Sequence, residues 1–305
     1  AKPLVREGRN ELLLFGLVSD KDREHRVGLR KTRQGGMEIR VDGRKAASAA
    51  ELASVLPMQL ITPGSHVLIE GGPKERRSFL DWALFHVEHS FFQDWKTYQR
   101  ALRQRNQALK LGSPDRGVKL WDASLAEAGE RITAERRRYV DTLRPVVETC
   151  LADLLEADSA PLELSYTPGW PVDSALPDAL DRSLERDRRQ GFTSVGPHRA
   201  DLRIRWAGRP AAEQLSRGQQ KLLVAALKLA QMELLESRAG KSCVVLVDDL
   251  PAELDSEHRA RFLRLLASTG AQAFITATES ALLDLTFSPD HRVFHVEHGT
   301  VSEML

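Results

Sequence analysis

Two nearby stretches carry residues whose types and spacing could do chemistry. Cys243-Val244-Val245-Leu246-Val247 is a short apolar, β-branched run that ends in two carboxylates, Asp248 and Asp249. A run of that kind predicts a strand buried on both faces of a parallel sheet. Ligands of such sheets bind beyond the carboxyl ends of the strands, so both acids are expected at the functional edge. There Asp248 would hold a magnesium ion beside a nucleotide's phosphates, and Asp249 would orient or deprotonate a water. The second stretch is Gln214-Leu215-Ser216-Arg217-Gly218-Gln219-Gln220. Ser216 reads as the N-cap of a helix and Gln219 completes a capping box. Unpaired N–H groups, a partial positive charge and a glycine at the helix start suit a phosphate.

The elements that must position these residues follow from periodicity. Leu222, Leu223, Ala226, Leu227, Ala230 and Leu234 recur at helical spacing behind Ser216. Beyond the two acids come Glu253-Leu254-Asp255, a helix over residues 256–268 and a strand over 271–276. Earlier, residues 10–42 alternate as an antiparallel meander with turn signals at Gly35-Gly36 and Asp42-Gly43. Leu56–Pro63 reads as a strand. From Glu75 to about residue 157 the pattern is helical, with aromatic and aliphatic stripes on a helix through Phe85, a second through Leu109 and a third from Trp121 to Leu154. Pro145 should kink or divide the third. Residues 158–177 form a proline-bearing linker with a strand over 162–166, and a charged helix covers 178–190.

Composition narrows the function class. The chain has 305 residues, 42% of them hydrophobic, enough for a full core. Its formal net charge is +1, so affinity for nucleic acid would have to come from local patches. Two isolated cysteines, Cys150 and Cys243, argue for a reducing, cytoplasmic compartment. No apolar run has the length of a membrane span.

The joint order of motifs is more specific than either stretch alone. A Ser-Arg-Gly-Gln helix start, a helix, a buried strand, Asp-Asp and then Glu-Leu-Asp resembles the C-terminal half of an ABC-type ATPase head: signature, Walker B strand and D-loop. Leu60-Ile61-Thr62-Pro63, Gly71-Gly72-Pro73-Lys74-Glu75-Arg76-Arg77-Ser78-Phe79-Leu80-Asp81-Trp82, Tyr98–Asn106 and Gly196-Pro197-His198-Arg199-Ala200-Asp201-Leu202 resemble the RecF family across essentially the whole chain.

The resemblance implies an α/β ABC-type ATPase head, a mixed sheet with flanking helices, carrying an inserted α-helical lobe. Residues 1–72 and 191–305 would form the ATPase lobe, and residues 73–190 the helical arm and linker. It implies a slow ATPase using ATP and Mg2+ that dimerises around nucleotide. It also implies binding to double-stranded DNA and to gapped or single-strand/duplex junctions, with RecR and RecO-type partners in recombinational repair. Ser216, Arg217, Gly218 and Gln219 would then serve the ATP of a second subunit. Asp248, Asp249 and the D-loop residues Leu254 and Asp255 would serve this subunit's own. Gln59 would touch the metal or its water.

One departure is serious. The family's phosphate-binding loop, Gly-x-x-x-x-Gly-Lys-Ser/Thr, does not occur in these residues. With Ala1 at the start, the sequence reads as an N-terminally truncated member, expected to bind ATP poorly. Pro251 and Thr278 are smaller departures, the latter standing where many ABC ATPases place a switch histidine. A second hypothesis is therefore a nucleotide-independent DNA-binding or partner-docking fragment; a transporter ATPase subunit fits the arm poorly.

Candidate DNA contacts are Lys96, Arg100, Arg103 and Lys110 on one helical stripe, and Arg136, Arg137 and Arg138 on the next helix. A solvated face with intrahelical ion pairs is the bland alternative. His198 is either a satisfied loop histidine or a group near the nucleotide. His86, His89, His295 and His298 lie in two His-Val-Glu-His copies with no third metal ligand evident.

Overall fold

A computed structural model describes residues 4–20, 23–155, 161–285 and 290–304. The end of the expected helical stretch and the start of the linker, 156–160, lie outside the described residues.

The alternating N-terminal segment forms the meander, with β1 (Glu11–Asp20), β2 (Arg23–Thr32), β3 (Met37–Val41) and β4 (Arg44–Lys45) pairing antiparallel in that order. Helix α1 (Ala49–Val55) leads to β5 (Met58–Ile61). Helices α2 (Val67–Glu70), α3 (Pro73–Val87), α4 (Phe91–Lys110), α5 (Asp115–Lys119) and α6 (Asp122–Leu155) follow. Then come β6 (Leu162–Thr167), α7 (Leu176–Gln190), β7 (Asp201–Trp206), β8 (Arg209–Pro210) and α8 (Ala211–Gln214). The C-terminal part holds α9 (Arg217–Ala239), β9 (Val244–Val247), α10 (Leu250–Glu253), α11 (Ser256–Ser268), β10 (Gln272–Ile275) and the hairpin β11 (Val293–Glu297) with β12 (Thr300–Met304).

Three strands position the site. They run parallel in the order β10-β9-β5, with Ile61, Val247 and Ile275 in register. Val245 and Val247 are buried on one face, whereas Met58, Leu60 and Phe274 on the other are exposed. The expectation that β9 is buried on both faces is thus corrected: among the described residues, nothing packs on the outer face deeply enough to bury it.

Helix α9 is the centre of the core. It is capped as the sequence predicts and ends at Gly240, whose φ of 65° lies in the left-handed region that glycine adopts without strain. Its buried residues join α3, α6 and α11 in one hydrophobic cluster reaching from Ile61 to Leu266. Helical arm and sheet therefore share one core.

Pro145 does not divide α6, which is continuous from Asp122 to Leu155. An interior proline costs about 3 kcal/mol. Leu143, Val147, Cys150, Leu151 and Leu154 stay buried across it, and their burial outweighs that loss. The arm is also locked by a buried polar network. Arg105 donates to Asp122, Asp187 and Thr193 at 2.7–2.9 Å, fixing α4 to α7 and to the loop after it.

Candidate functional site

Asp248 leaves the carboxyl end of the central strand β9. Its N–H donates to Ile61 O at 2.9 Å, which holds the exposed carboxyl group at the sheet edge. The chain turns sharply at Asp249, a non-glycine residue at φ 51°, ψ 51°. Aspartate is among the few non-glycine residues that enter this left-handed region readily. Pro251 then falls in the first turn of α10, where a proline ring fits a helix start, so this departure from the usual pattern is sterically natural.

Sequence reasoning missed Thr276. Its Oγ1 donates to Asp248 Oδ1 at 2.9 Å and accepts from the Asp249 N–H at 2.8 Å. Its own N–H donates to Val247 O at 2.9 Å. The parallel register sets Thr276 one residue beyond Ile275, level with Asp248; strand register is the signal that could have found it. Thr278 makes none of these contacts. Thr276→Val, nearly isosteric, is expected to lower stability by about 1–2 kcal/mol through loss of both hydrogen bonds, measured by urea unfolding. Unchanged stability would show that the hydroxyl does not hold the two acids.

The signature residues sit at the opening of α9. Ser216 Oγ accepts from the Gln219 N–H at 3.3 Å, and Gln219 Oε1 accepts from the Ser216 N–H at 3.0 Å. Ser216, Arg217, Gly218 and Gln219 are all exposed. A Cβ at Gly218 would meet nothing within 4 Å, so no contact inside the chain requires glycine there. Its bareness leaves room for something outside the chain to approach. One turn on, Lys221 Nζ donates to Ala252 O at 3.1 Å and lies 3.4 Å from Glu253 Oε1, tying the signature helix to α10. Leu254 is buried, and Asp255 caps α11 by accepting from the His258 N–H at 3.1 Å.

Gln59 is not at the metal position. It lies mid-strand beside Val245, with its side chain turned into the core. Its amide is occupied, donating to Gln231 Oε1 at 2.9 Å and accepting from Lys228 Nζ at 3.1 Å. Burial pulls the Lys228 ammonium down to about 8. His198 is a satisfied loop histidine: one ring nitrogen meets Tyr98 Oη at 2.6 Å and the other Thr193 O at 2.9 Å.

Burial lowers both His198 and His86 to about 4 from an ordinary value of 6.5. Between those values the unfolded chain binds more protons than the folded one. Their contribution is therefore complete above pH 6.5 and lost as pH falls towards 4. For His198 this amounts to about 2–3 kcal/mol. A His198→Asn variant should show a shallower fall in urea stability over that window; an unaltered slope would refute the assignment.

The basic candidates divide. Lys96, Arg100, Arg103 and Lys110 all lie exposed along α4, with Lys96 over the Phe92 ring at 4.8 Å. Arg137 and Arg138 are exposed, and Arg138 pairs with Glu135. Arg136 is a correction. It is buried, donates to both oxygens of Asp81 at 2.8 and 2.9 Å, and donates to Pro197 O. Gly240-Lys241-Ser242, the one Gly-Lys-Ser in the chain, closes the carboxyl end of α9, where helix carbonyls, not amides, are free. That polarity is wrong for a phosphate cradle.

A family model described as the RecF/RecN/SMC N terminal domain matches residues 8–302. The chain belongs to the RecF family. It is 51% identical over 280 residues to the DNA replication and repair protein RecF of Pseudomonas paraeruginosa, an alignment covering 91% of this chain and 75% of that one. With RecF of Stutzerimonas stutzeri it shares 46% identity over 306 residues, covering 99% and 82%. A solved structure of the recombination mediator protein RecF with ATP superposes at a TM-score of 0.85 with 28% identity, covering 99% of this chain and 82% of that one. An Smc head bound to the C-winged helix domain of ScpA superposes at 0.52 with 13% identity, a likeness of fold alone. The RecF-family ATPase-head fold accounts for the α9–β9–β10 arrangement. Among the described residues no helix is long and apolar enough to cross a membrane.

Proposed function

We propose that this chain works as a cytoplasmic RecF-type DNA repair protein, an ATP-gated dimer that holds duplex DNA beside a gap or junction together with RecR and RecO-type partners. One observation carries the reading. An exposed signature opening and the Asp248-Asp249 turn border one hydrophobic core, and Lys221 ties the signature helix to α10, which follows Asp249.

The residues present fit half of a nucleotide site. The N–H groups of Arg217 and Gly218, which the capping box leaves unused, suit a phosphate brought by a second subunit, and Asp248, held by Thr276, suits a magnesium ion. Bound nucleotide would supply the phosphoryl group whose hydrolysis resets the dimer. Asp249 would orient the water, and Leu254 and Asp255 would shape the loop between subunits. The division into residues 1–72, 73–190 and 191–305 then separates nucleotide work from DNA work within a shared core. DNA would lie along Lys96, Arg100, Arg103 and Lys110, with Arg137 and Arg138 nearby, contacts that read phosphates rather than sequence.

Changing those four α4 residues together to Gln is expected to cut duplex affinity and flatten its salt dependence by about 3–4 in log–log slope, read by fluorescence anisotropy. Unchanged duplex binding would place the DNA elsewhere.

A second reading of this chain is a nucleotide-independent DNA-binding or partner-docking piece. The two separate on ATP binding. A chimera with a phosphate-binding loop of the Gly-x-x-x-x-Gly-Lys-Ser/Thr form placed before these residues should bind ATP, and these residues alone should bind it poorly.

A further inference from the structure

The Gly71–Ser78 segment sets two consecutive arginines on α3 with different surroundings. Arg76 is closed. Its Nε and Nη2 donate to the two carboxylate oxygens of Asp201 at 2.8 and 3.1 Å, and its Nη1 donates to Gly71 O at 2.6 Å. Half-buried Arg77 donates once, from Nη1 to Ala200 O at 2.7 Å, and enters no ion pair among the described residues. The carboxylates near it are taken. Asp201 is held by Arg76, and Asp81 is held through both oxygens by Arg136.

Three guanidiniums, Arg76, Arg77 and Arg136, thus face two carboxylates, Asp81 and Asp201, and one positive charge is left over. It rests on Arg77. Burial first, and then the neighbouring Arg136, push that guanidinium below its ordinary value against the opposing pull of Asp81 and Asp201. Two more cations border the place. Lys74, one turn earlier on α3, is exposed. Arg199 is exposed beside Ala200 and lies over the Phe192 ring at 5.1 Å. The same loop is tied to α4 through the Tyr98–His198 hydrogen bond, so the place is fixed relative to the α4 stripe.

A planar fork with free donors, rimmed by exposed cations, matches a group offering several anionic oxygens. We propose that Arg77 is an oxyanion site that takes a phosphate group, with Lys74 and Arg199 at its rim. The assignment of a backbone phosphate of duplex DNA as the source rests on the DNA-binding reading above; a free phosphate or nucleotide offers the same chemistry.

The test modifies arginines of the wild-type chain with phenylglyoxal and follows each by peptide mass spectrometry. One sample contains duplex DNA shown to be bound by anisotropy, and another contains inorganic phosphate. Exposed Arg44 on β4 serves as the reference. Arg77 should be modified several-fold more slowly in both samples while Arg44 is unaffected. Protection by phosphate alone supports the site and assigns a free phosphoryl ligand as its source. Equal modification of Arg77 in both samples and in buffer overturns the proposal. Loss of duplex binding altogether would show in the anisotropy and leave the phosphate sample to decide. In a companion measurement, Arg77→Met should reduce the salt slope of duplex binding by about 0.9, while Arg77→Lys retains it. An unaltered slope in a folded Arg77→Met protein counts against the site; the chemical modification decides if that variant does not fold.

Discussion

Placing arginine at position 216 of the P-loop-bearing chimera should abolish its ATP-driven pairing without unfolding it. Ser216 is exposed, and among the described residues its hydroxyl bonds only within the capping box. Losing that cap costs about 1 kcal/mol. Behind it, α9 buries Leu222, Leu223, Leu227, Leu234 and neighbours in the central cluster, far more stabilisation than the cap supplies. The damage therefore falls outside the chain, where a long cation fills the approach that Ser216 and Gly218 leave open. In sedimentation velocity with a non-hydrolysable ATP analogue, the unmutated chimera should pair. The Ser216→Arg form should stay monomeric, weaker by on the order of 3 kcal/mol or a hundredfold. Ser216→Ala, which removes only the cap, should pair nearly normally. ATP binding itself should survive, because the altered residue serves the other subunit.

That expectation rests on features legible before any coordinates. The capping box at Ser216 and Gln219 is local, set by residues three apart, and α9 follows from one uninterrupted apolar stripe. Strand β9 and its terminal acids are equally local. What was not legible depends on how distant segments meet. Thr276 reaches Asp248 only because β10 pairs in parallel with β9, and a one-residue slip would break the contact. The sequence places Gln59 in a strand but does not say which way its side chain faces. Pairing with β9 places it mid-strand and inward, where Gln231 of α9 awaits its amide. Burial on both faces of β9 was inferred from composition, but a β-branched run does not report how many layers cover it.

The arginine run on α6 shows the same limit with the largest energetic consequence. Three consecutive helical residues span roughly 200° of the helix surface, and the run alone does not say which of them, if any, turns towards the core. The inward residue is Arg136. Removing it by Arg136→Ala strands Asp81, whose carboxyl group burial already pushes upward and Arg136 holds down. It also frees Pro197 O and loosens the loop that carries His198. Breaking such a buried pair is expected to cost about 3–5 kcal/mol, against a total stability of about 5–15 kcal/mol for a typical domain. Urea unfolding should show that loss for Arg136→Ala and almost none for Arg137→Gln. In duplex binding, Arg137→Gln should weaken affinity and reduce its salt slope. A stable Arg136→Ala protein would contradict the assignment of this arginine to the interior.

The most direct test of the central claim, that the start of α9 serves a nucleotide held by another subunit, mixes two defective partners. The 305-residue chain keeps its signature but contains no P-loop. The Ser216→Arg chimera keeps a P-loop but has a blocked signature. Neither should pair with itself in ATP analogue. Together they should form a one-to-one heterodimer holding a single nucleotide, seen by sedimentation velocity with labelled analogue. Absence of that heterodimer, with each protein folded and the chimera still binding nucleotide, would contradict the account.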